Sequence, residues 1–382
     1  MNNKKHIDDI LRKIAKEIEI SETEYKKAVD SYNAIGQFIA NSIPQYDVKV
    51  IPQGSFKLGT VIKPINDKEE YDIDLVAIID NKFKTASELK NIVGDVFKTS
   101  DRYSEKLTEG KRCWTIEYAE SAHYHIDILP TMKSHSYLID RKLLMTHKEE
   151  MYGEYSFMIT NPEAYYQWFC ERMKQERDRL IQEYALRNKM EIVSVPDYKV
   201  KTTLQITIEI LKRYRDIKFK FNPENKPISI ILTTLLANVY SGNETVYELI
   251  EKFTKEYILF LEKDSNGKII IANPVNKEEN FADKWELYPE RQKAFFDFMA
   301  ELKKDLVENR LLMDENIIEQ SKEYKKLFGE APIKRVFESI GNDIRIAREN
   351  GKAYINDKGH ITTNKTNTAI RNHNFYGRQK IS

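Results

Sequence analysis

The chain predicts an α+β protein in two parts, a strand-bearing unit with helices followed by a helical lobe, on three observations. Short runs of period-2 alternation are confined to residues 48–129, apolar spacing of three and four dominates from about Ser156 onward, and two helical patterns precede the first strand. The expected division is 1–155 for the N-terminal helices and strand unit, 156–345 for the helical lobe, and 346–382 for a flexible tail.

Helical spacing covers about Asp8 to Ile43. Ile10, Leu11, Ile14 and Ile18 form one stripe. Ser21-Glu22-Thr23-Glu24 has the pattern of a capping box, which opens a second helix carrying Tyr25, Val29, Tyr32, Ile35, Phe38 and Ile39. Pro44 ends the pattern. Val48 to Ile51 reads as a strand leading into the Pro52-Gln53-Gly54-Ser55 turn. Tyr71 to Ile79 alternates, with Tyr71, Ile73, Leu75 and Ala77 on one face and Asp72 and Asp74 on the other. Ala86 to Phe97 reads as helix. Cys113–Tyr118 and Tyr124–Leu129 read as a strand pair stopped by Pro130. Later helices are expected from Pro162 towards Tyr184, Leu204 to Tyr214, Pro227 to Tyr240, Val246 to Leu261 and Glu290 to Leu311. Pro162 and Pro227 suit first turns. The segment from Asn350 is rich in Asn, Thr, Lys and Gly and poor in large apolar residues, as mobile or partner-ordered segments are.

The 382 residues are 41% apolar and 32% charged, enough for a sizeable core under a solvated surface. No apolar run approaches the roughly 20 residues of a membrane span, and the first residues lack a secretory signal, so a cytoplasmic protein is expected. Cys113 and Cys170 give neither a disulfide framework nor a zinc knuckle. His123, His125 and His135 have no metal-ligand spacing. With 61 basic and 60 acidic residues the net charge is +1. That balance disfavours a protein whose work is coating nucleic acid and suits small, charged, metal-bound substrates.

Chemistry concentrates in three places. An arbitrary Asp-x-Asp is usually a solvent-facing pair, but Asp72 and Asp74 share a face about 6.5–7 Å apart along a strand whose other face is apolar. Two carboxylates so placed repel unless a cation lies between them, and Mg²⁺ is the natural occupant. Asp127, on the later strand, supplies a third ligand. Such a set can hold two metals about 3.5–4 Å apart, which support an attacking hydroxyl and a leaving pyrophosphate. Gly54 lets the backbone approach a phosphate and Ser55 offers its hydroxyl and N–H. Lys57 and Thr60 are further candidates. No Walker loop is present. Lys212, in the basic Leu211–Asp216 cluster at a helix end, is a minority candidate for a phosphate contact; such clusters are usually solvated.

These residues resemble a known family. Ile51–Thr60, Glu70–Val76 and His125–Pro130 are similar to the active-site segments of the bacterial CD-NTases, the cGAS/DncV-like nucleotidyltransferases of anti-phage CBASS systems within the polymerase-beta-like superfamily. Asn161–Phe169, Leu211–Asp216, Pro227–Thr234 and Asn273–Val275 through Asn280–Trp285 resemble segments of the family's helical half. The resemblance reaches to about Gly329. It implies a polymerase-beta-like core of mixed sheet with helices, a helical lobe, and an active site in the cleft between them. It also implies Mg²⁺-dependent joining of ATP, GTP or other NTPs into a cyclic oligonucleotide messenger, with two Mg²⁺ ions and Mn²⁺ as a substitute. Asp72, Asp74 and Asp127 would be catalytic and metal-binding, and Gln53, Gly54, Ser55, Lys212 and Ser229 nucleotide-binding. Asn372–Gly377 resembles a C-terminal peptide that some members offer to a conjugating enzyme, although Arg378–Ser382 follow it here. A CBASS accessory protein engaging the tail is the implied partner, with no membrane and no obligatory nucleic acid. The alternative is a template-independent transferase acting on RNA, tRNA or a protein.

Overall fold

A computed structural model describes residues 2–66, 71–80, 82–117, 124–134, 142–149, 153–194, 199–309, 312, 317–355, 361–362 and 368–370. Glu70, His123, His135 and the Asn372–Gly377 peptide lie outside them. The α+β expectation holds: a mixed sheet with helices is followed by a helical lobe.

The chain enters through α1 (Asn2–Ile18) and α2 (Glu22–Ser42). Ser21 and Glu24 do form the capping box, the Ser21 side chain accepting from the Glu24 N–H while Glu24 accepts from the Ser21 N–H. Strand β1 (Asp47–Pro52) leads to the short helix α3 (Gly54–Leu58), and β2 (Tyr71–Asp80), α4 (Ala86–Lys98), β3 (Leu107–Glu109), β4 (Trp114–Glu117), β5 (Tyr124–Lys133), β6 (Leu143–Lys148) and β7 (Tyr155–Thr160) complete the strand-bearing unit. The sheet order is β1-β2-β5-β4-β3, with β6 also on β5 and β7 on β6; among the described residues only β2 and β5 run parallel in it.

Pro130 does not stop its strand. Among the described pairings, β4 reaches β5 up to Ile128 and β6 joins it from Thr131. Pro130 therefore falls in the gap on that flank, where a missing N–H costs no ladder bond.

The later half consists of α5 (Pro162–Asn188), α6 (Thr203–Lys218), α7 (Ser229–Val239), α8 (Val246–Glu256), α9 (Pro289–Leu302), α10 (Ile317–Phe328) and α11 (Glu330–Glu349). Pro162 occupies the first turn of α5, capped by Asn161. Pro227 does not play that role: α7 starts at Ser229, and the Pro227 carbonyl instead accepts from Arg215 at 3.1 Å. α9 passes into a π-helical turn over Lys303–Glu308 rather than continuing as an α-helix to Leu311. Beyond Asn350 the described residues form three two-residue strands, Tyr354–Ile355 pairing with both Ile361–Thr362 and Thr368–Ala369.

Two cores result. One packs α2 and α4 on the Ile73, Leu75, Ile126 and Ile128 face of the sheet. The other belongs to the helical half and also contains Ile10, Leu11, Ile14 and Ile18, so α1 joins the helices that follow the sheet. Phe56 of α3 is buried in the first core, stacked on Tyr25, and Leu58 is buried in the second. Five residues of helix thus pin the turn between both. Ile14→Ala, which leaves a cavity at a fully buried position, is expected to cost about 2–5 kcal/mol. Denaturant unfolding with a wild-type midpoint would show that α1 is only loosely docked.

Candidate active site

The parallel pairing of β2 and β5 builds the centre. Its register sets Asp74 opposite Asp127 and Asp72 opposite His125. All four project from the sheet face that α2 and α4 leave uncovered, because β-residues of one parity share a face. Two acids from one strand and one from its neighbour are therefore gathered by ladder geometry alone.

Each acid has a partner that fixes it. Thr115, opposite Asp127 on β4, donates its hydroxyl to Asp127 Oδ1 at 2.5 Å. His125 Nε2 lies 2.9 Å from Asp72 Oδ1. Asp74 receives the turn: the Gln53 N–H donates to the Asp74 carbonyl at 2.8 Å, and Gly54 lies against its carboxylate. Gly54 has φ +61°, and a Cβ there would stand 2.0 Å from Asp74 Oδ2. Only glycine satisfies both the backbone conformation and the close approach. Gln53 is the extended residue ahead of α3, and Gly59 (φ +67°) closes it in the left-handed region.

The electrostatics follow from this crowding. Withdrawal from water, then the charges of Asp72 and Asp127, push the Asp74 carboxyl up to about 7, against the pull of Lys212. For Asp72, desolvation also pushes upward, but the hydrogen bond and charge of His125, with Lys212 beyond, bring it below the usual carboxylate range. Cys113, near Asp127, is pushed up to about 11, first by burial and then by that carboxylate.

From the helical half, α6 reaches across. Gln205 donates to the Leu58 carbonyl at 2.9 Å, Lys212 Nζ to the Thr60 carbonyl at 2.8 Å, and Arg213 to the Lys63 carbonyl at 2.6 Å. Lys212 is 7% exposed; burial first, then Arg215, pull its ammonium down to about 8. Ser229, the first residue of α7, accepts from Arg215 at 2.7 Å. A cavity of about 610 Å³ is lined by Gly54, Ser55, Asp72, Asp74, Lys212 and Ser229. A second, of about 830 Å³, shares Gly54 and Asp74 with it and adds Gln53 and Lys57. The predicted site residues thus line one cavity or the other, apart from Asp127, which stands beside Asp74 in the ladder. Thr60 lines the first cavity.

Three carboxylates are hard oxygen donors of the kind Mg²⁺ takes, and the mutual repulsion at Asp74 is what a cation would relieve. Among the described residues no three acidic, His or Cys side chains are closed around a common metal point, since Asp72 is turned to His125 and Asp127 to Thr115. The donor set, three carboxylates on one sheet face, fits a divalent cation by its chemistry.

Sequence reasoning missed His125 and Thr115. It considered His125 only as a metal ligand beside other histidines. Aligning Asp74 with Asp127 as parallel neighbours would have placed His125 opposite Asp72.

A strand-turn-helix that presents glycine to a carboxylate, acids on two adjacent strands and a helical lobe across the cleft make up a nucleotidyltransferase fold. Residues 6–172 match the Second Messenger Oligonucleotide or Dinucleotide Synthetase domain. A c-di-GMP synthase of Roseivirga ehrenbergii is 28% identical over 358 residues, which are 92% of this chain and 91% of that one. The fold is similar to the CD-NTase CdnG of Bradyrhizobium diazoefficiens solved in complex with GTP (TM-score 0.70, 19% identity, 88% of this chain and 99% of that one). It is also similar to Escherichia coli MS115-1 CdnC solved in complex with HORMA-deltaN (TM-score 0.57, 14% identity, 84% and 96%). Across most of its length the chain is thus similar to a cyclic dinucleotide synthase and has the fold of the CD-NTases, with the synthetase domain over its first half.

Two outcomes test the geometry. Gly54→Ala is expected to abolish turnover while the far-ultraviolet circular dichroism stays native, since it strains one turn and displaces one carboxylate. For Asp74 the folded pKa lies above the unfolded value near 3.9, so ionisation opposes folding. That penalty is absent below about pH 4, grows as pH rises, and is complete above 7. In metal-free buffer Asp74→Asn should stabilise the protein more at pH 8 than at pH 5, by about 2–3 kcal/mol. An equal effect at both pH values would mean that Asp74 titrates normally.

Proposed function

We propose that the protein is a bacterial CD-NTase that joins nucleoside triphosphates into a cyclic dinucleotide or trinucleotide messenger, releasing pyrophosphate at each step. The observation that carries the reading is that Asp74 lies opposite Asp127 in the sheet and shares one cavity with Gly54, Ser55, Asp72 and Lys212. The names of the relatives, a c-di-GMP synthase and a CdnG solved with GTP, support purine triphosphates as substrates.

The hydroxyl of one nucleotide attacks the α-phosphorus of another. A new P–O bond forms, the bond to the β-phosphate breaks, and pyrophosphate leaves. A second transfer in the same cleft closes the ring. Gly54 and Ser55 hold the phosphates of the nucleotide under attack through backbone N–H groups and the Ser55 hydroxyl. Lys212, an ammonium with three donors of which Thr60 takes one, and Ser229 at the start of α7 supply contacts from the helical side. Gln53 holds the turn against Asp74. Asp127, oriented by Thr115, faces the incoming hydroxyl. Asp72, Asp74 and Asp127 would together hold two Mg²⁺ ions, or Mn²⁺ in their place, which supply charge neutralisation at the reacting phosphate and lower the pKa of the attacking hydroxyl. Fixed positive groups in a cleft shielded from water provide the remaining stabilisation of the developing charge.

We place this activity in anti-phage signalling inside the cell, with an accessory protein engaging the C-terminal tail. CdnC, which shares the fold, is solved in complex with HORMA-deltaN, which supports a protein partner.

Purified protein incubated with all four NTPs and Mg²⁺ is expected to yield a phosphatase-resistant cyclic product by mass spectrometry. Asp74→Asn and Asp127→Asn should each lower the rate by at least a hundredfold. Lys212→Ala should lower it chiefly through a raised KM for NTP. Linear products only, or equal rates in the Asp variants, would overturn the proposal.

A further inference from the structure

The second cavity extends away from the acids to a short hairpin of the helical half, Ala272–Asn273 pairing with Asn276–Asn280. Its walls include Tyr165, Tyr166, Phe281 and Trp285, aromatic groups suited to a planar ligand. Three acids, Glu278, Glu279 and Asp283, line this end. Glu278 and Asp283 are exposed, whereas Glu279 is half-buried.

Glu279 is held rather than free. The Asn273 Nδ2 donates to its Oε2 at 2.7 Å. Asn273 is itself buried, and its Oδ1 accepts from the Val275 N–H at 3.0 Å, which fixes which way the amide points. The amide therefore presents its donor to the carboxylate and cannot flip. A carboxylate has two oxygens and about four lone-pair positions, and Asn273 takes one. Burial is the largest influence on Glu279 and raises its pKa; Asn273 and then Arg112 oppose it. A ligand offering two parallel N–H donors would offset that desolvation.

Resting on the synthase reading above, we propose that this end of the cavity selects a guanine base, with the Glu279 carboxylate accepting from the guanine N1–H and 2-amino group. Guanine is the nucleobase that presents two adjacent donors on its pairing edge. Adenine offers one donor beside the N1 acceptor, which faces a carboxylate unfavourably. Uracil and cytosine offer one donor each. Hypoxanthine keeps N1–H and lacks the 2-amino group, so it separates the two hydrogen bonds. Asn273 is a positioning residue: it orients Glu279 and leaves the base contact to the carboxylate.

The test uses the full-length protein with GTP, ITP and ATP. Products from an equimolar mixture are read by mass spectrometry, and competition binding of the three nucleotides is measured at equilibrium in parallel. Wild type is expected to favour GTP over ITP and over ATP by roughly ten- to a hundredfold each, the range for a hydrogen bond to a buried charged group. Glu279→Gln removes the charge at equal volume, and its amide can pair with the adenine edge, so preference should fall towards unity or shift to ATP. Asn273→Ala should weaken GTP preference less than Glu279→Gln does. A wild type indifferent among GTP, ITP and ATP overturns the inference without reference to any variant. So does a Glu279→Gln protein with unchanged selectivity. The synthase reading fails separately, if wild type turns over no nucleotide; the binding competition then still decides the base assignment.

Discussion

The site depends on one contact above others, the parallel pairing of β2 with β5. Backbone hydrogen bonding puts Asp74 beside Asp127, and the ladder must supply the energy that holds two carboxylates so close. Like charges at that spacing would separate if they sat on loops. Here the separation is fixed by strand geometry, since neighbouring strands lie about 4.8 Å apart. Burial first, and then the charges of Asp72 and Asp127, push the Asp74 carboxyl up to about 7, so the crowding is part of that cost. A site whose carboxylates repel one another when empty is one that binds cations well, because a cation relieves the repulsion that folding imposed.

A second constraint couples the halves of the molecule. Three side chains of α6, Gln205, Lys212 and Arg213, donate to the carbonyls of Leu58, Thr60 and Lys63. These carbonyls run from the last residue of α3 into the segment after it, and none of the three bonds is within a regular ladder. The same helix that carries Lys212 into the cleft therefore fixes the segment leaving the Gly54–Ser55 turn. Phe56 and Leu58, each buried in a different core, reinforce the connection. Substrate phosphates held between Ser55 and Lys212 would touch both halves at a point where they are already tied, so little ordering remains to be done on binding.

Local sequence rules succeeded where the determining interactions are local. The capping box at Ser21, the proline-started α5 and the alternation of β2 each involve residues within four positions of one another. They failed where a distant strand decided the outcome. Pro130 reads as a breaker, yet the partners of β5 change beside it and no ladder bond is lost. Pro227 reads as a helix start, yet Arg215 claims its carbonyl. The apolar stripe of α1 was legible, but its docking among helices more than 140 residues later was not. A stripe records that a face is buried and says nothing of what buries it.

What the sequence by itself determined is the chemistry. Asp72 and Asp74 share a face because side chains alternate along a strand, and Gly54 is marked by a Gly-Ser turn of the kind that lets a backbone approach a phosphate. Those are properties of one segment at a time, and together with Asp127 they indicated nucleotidyl transfer. What only the tertiary structure decided is the company these residues keep. The His125 contact with Asp72, the Thr115 bond to Asp127 and the Asn273 bond to Glu279 depend on register between strands or on a hairpin's curvature. Lys212 reaches Thr60 across 152 positions of sequence. No periodicity encodes such distances, because they are fixed by the packing of whole elements, in which every residue of both cores takes part.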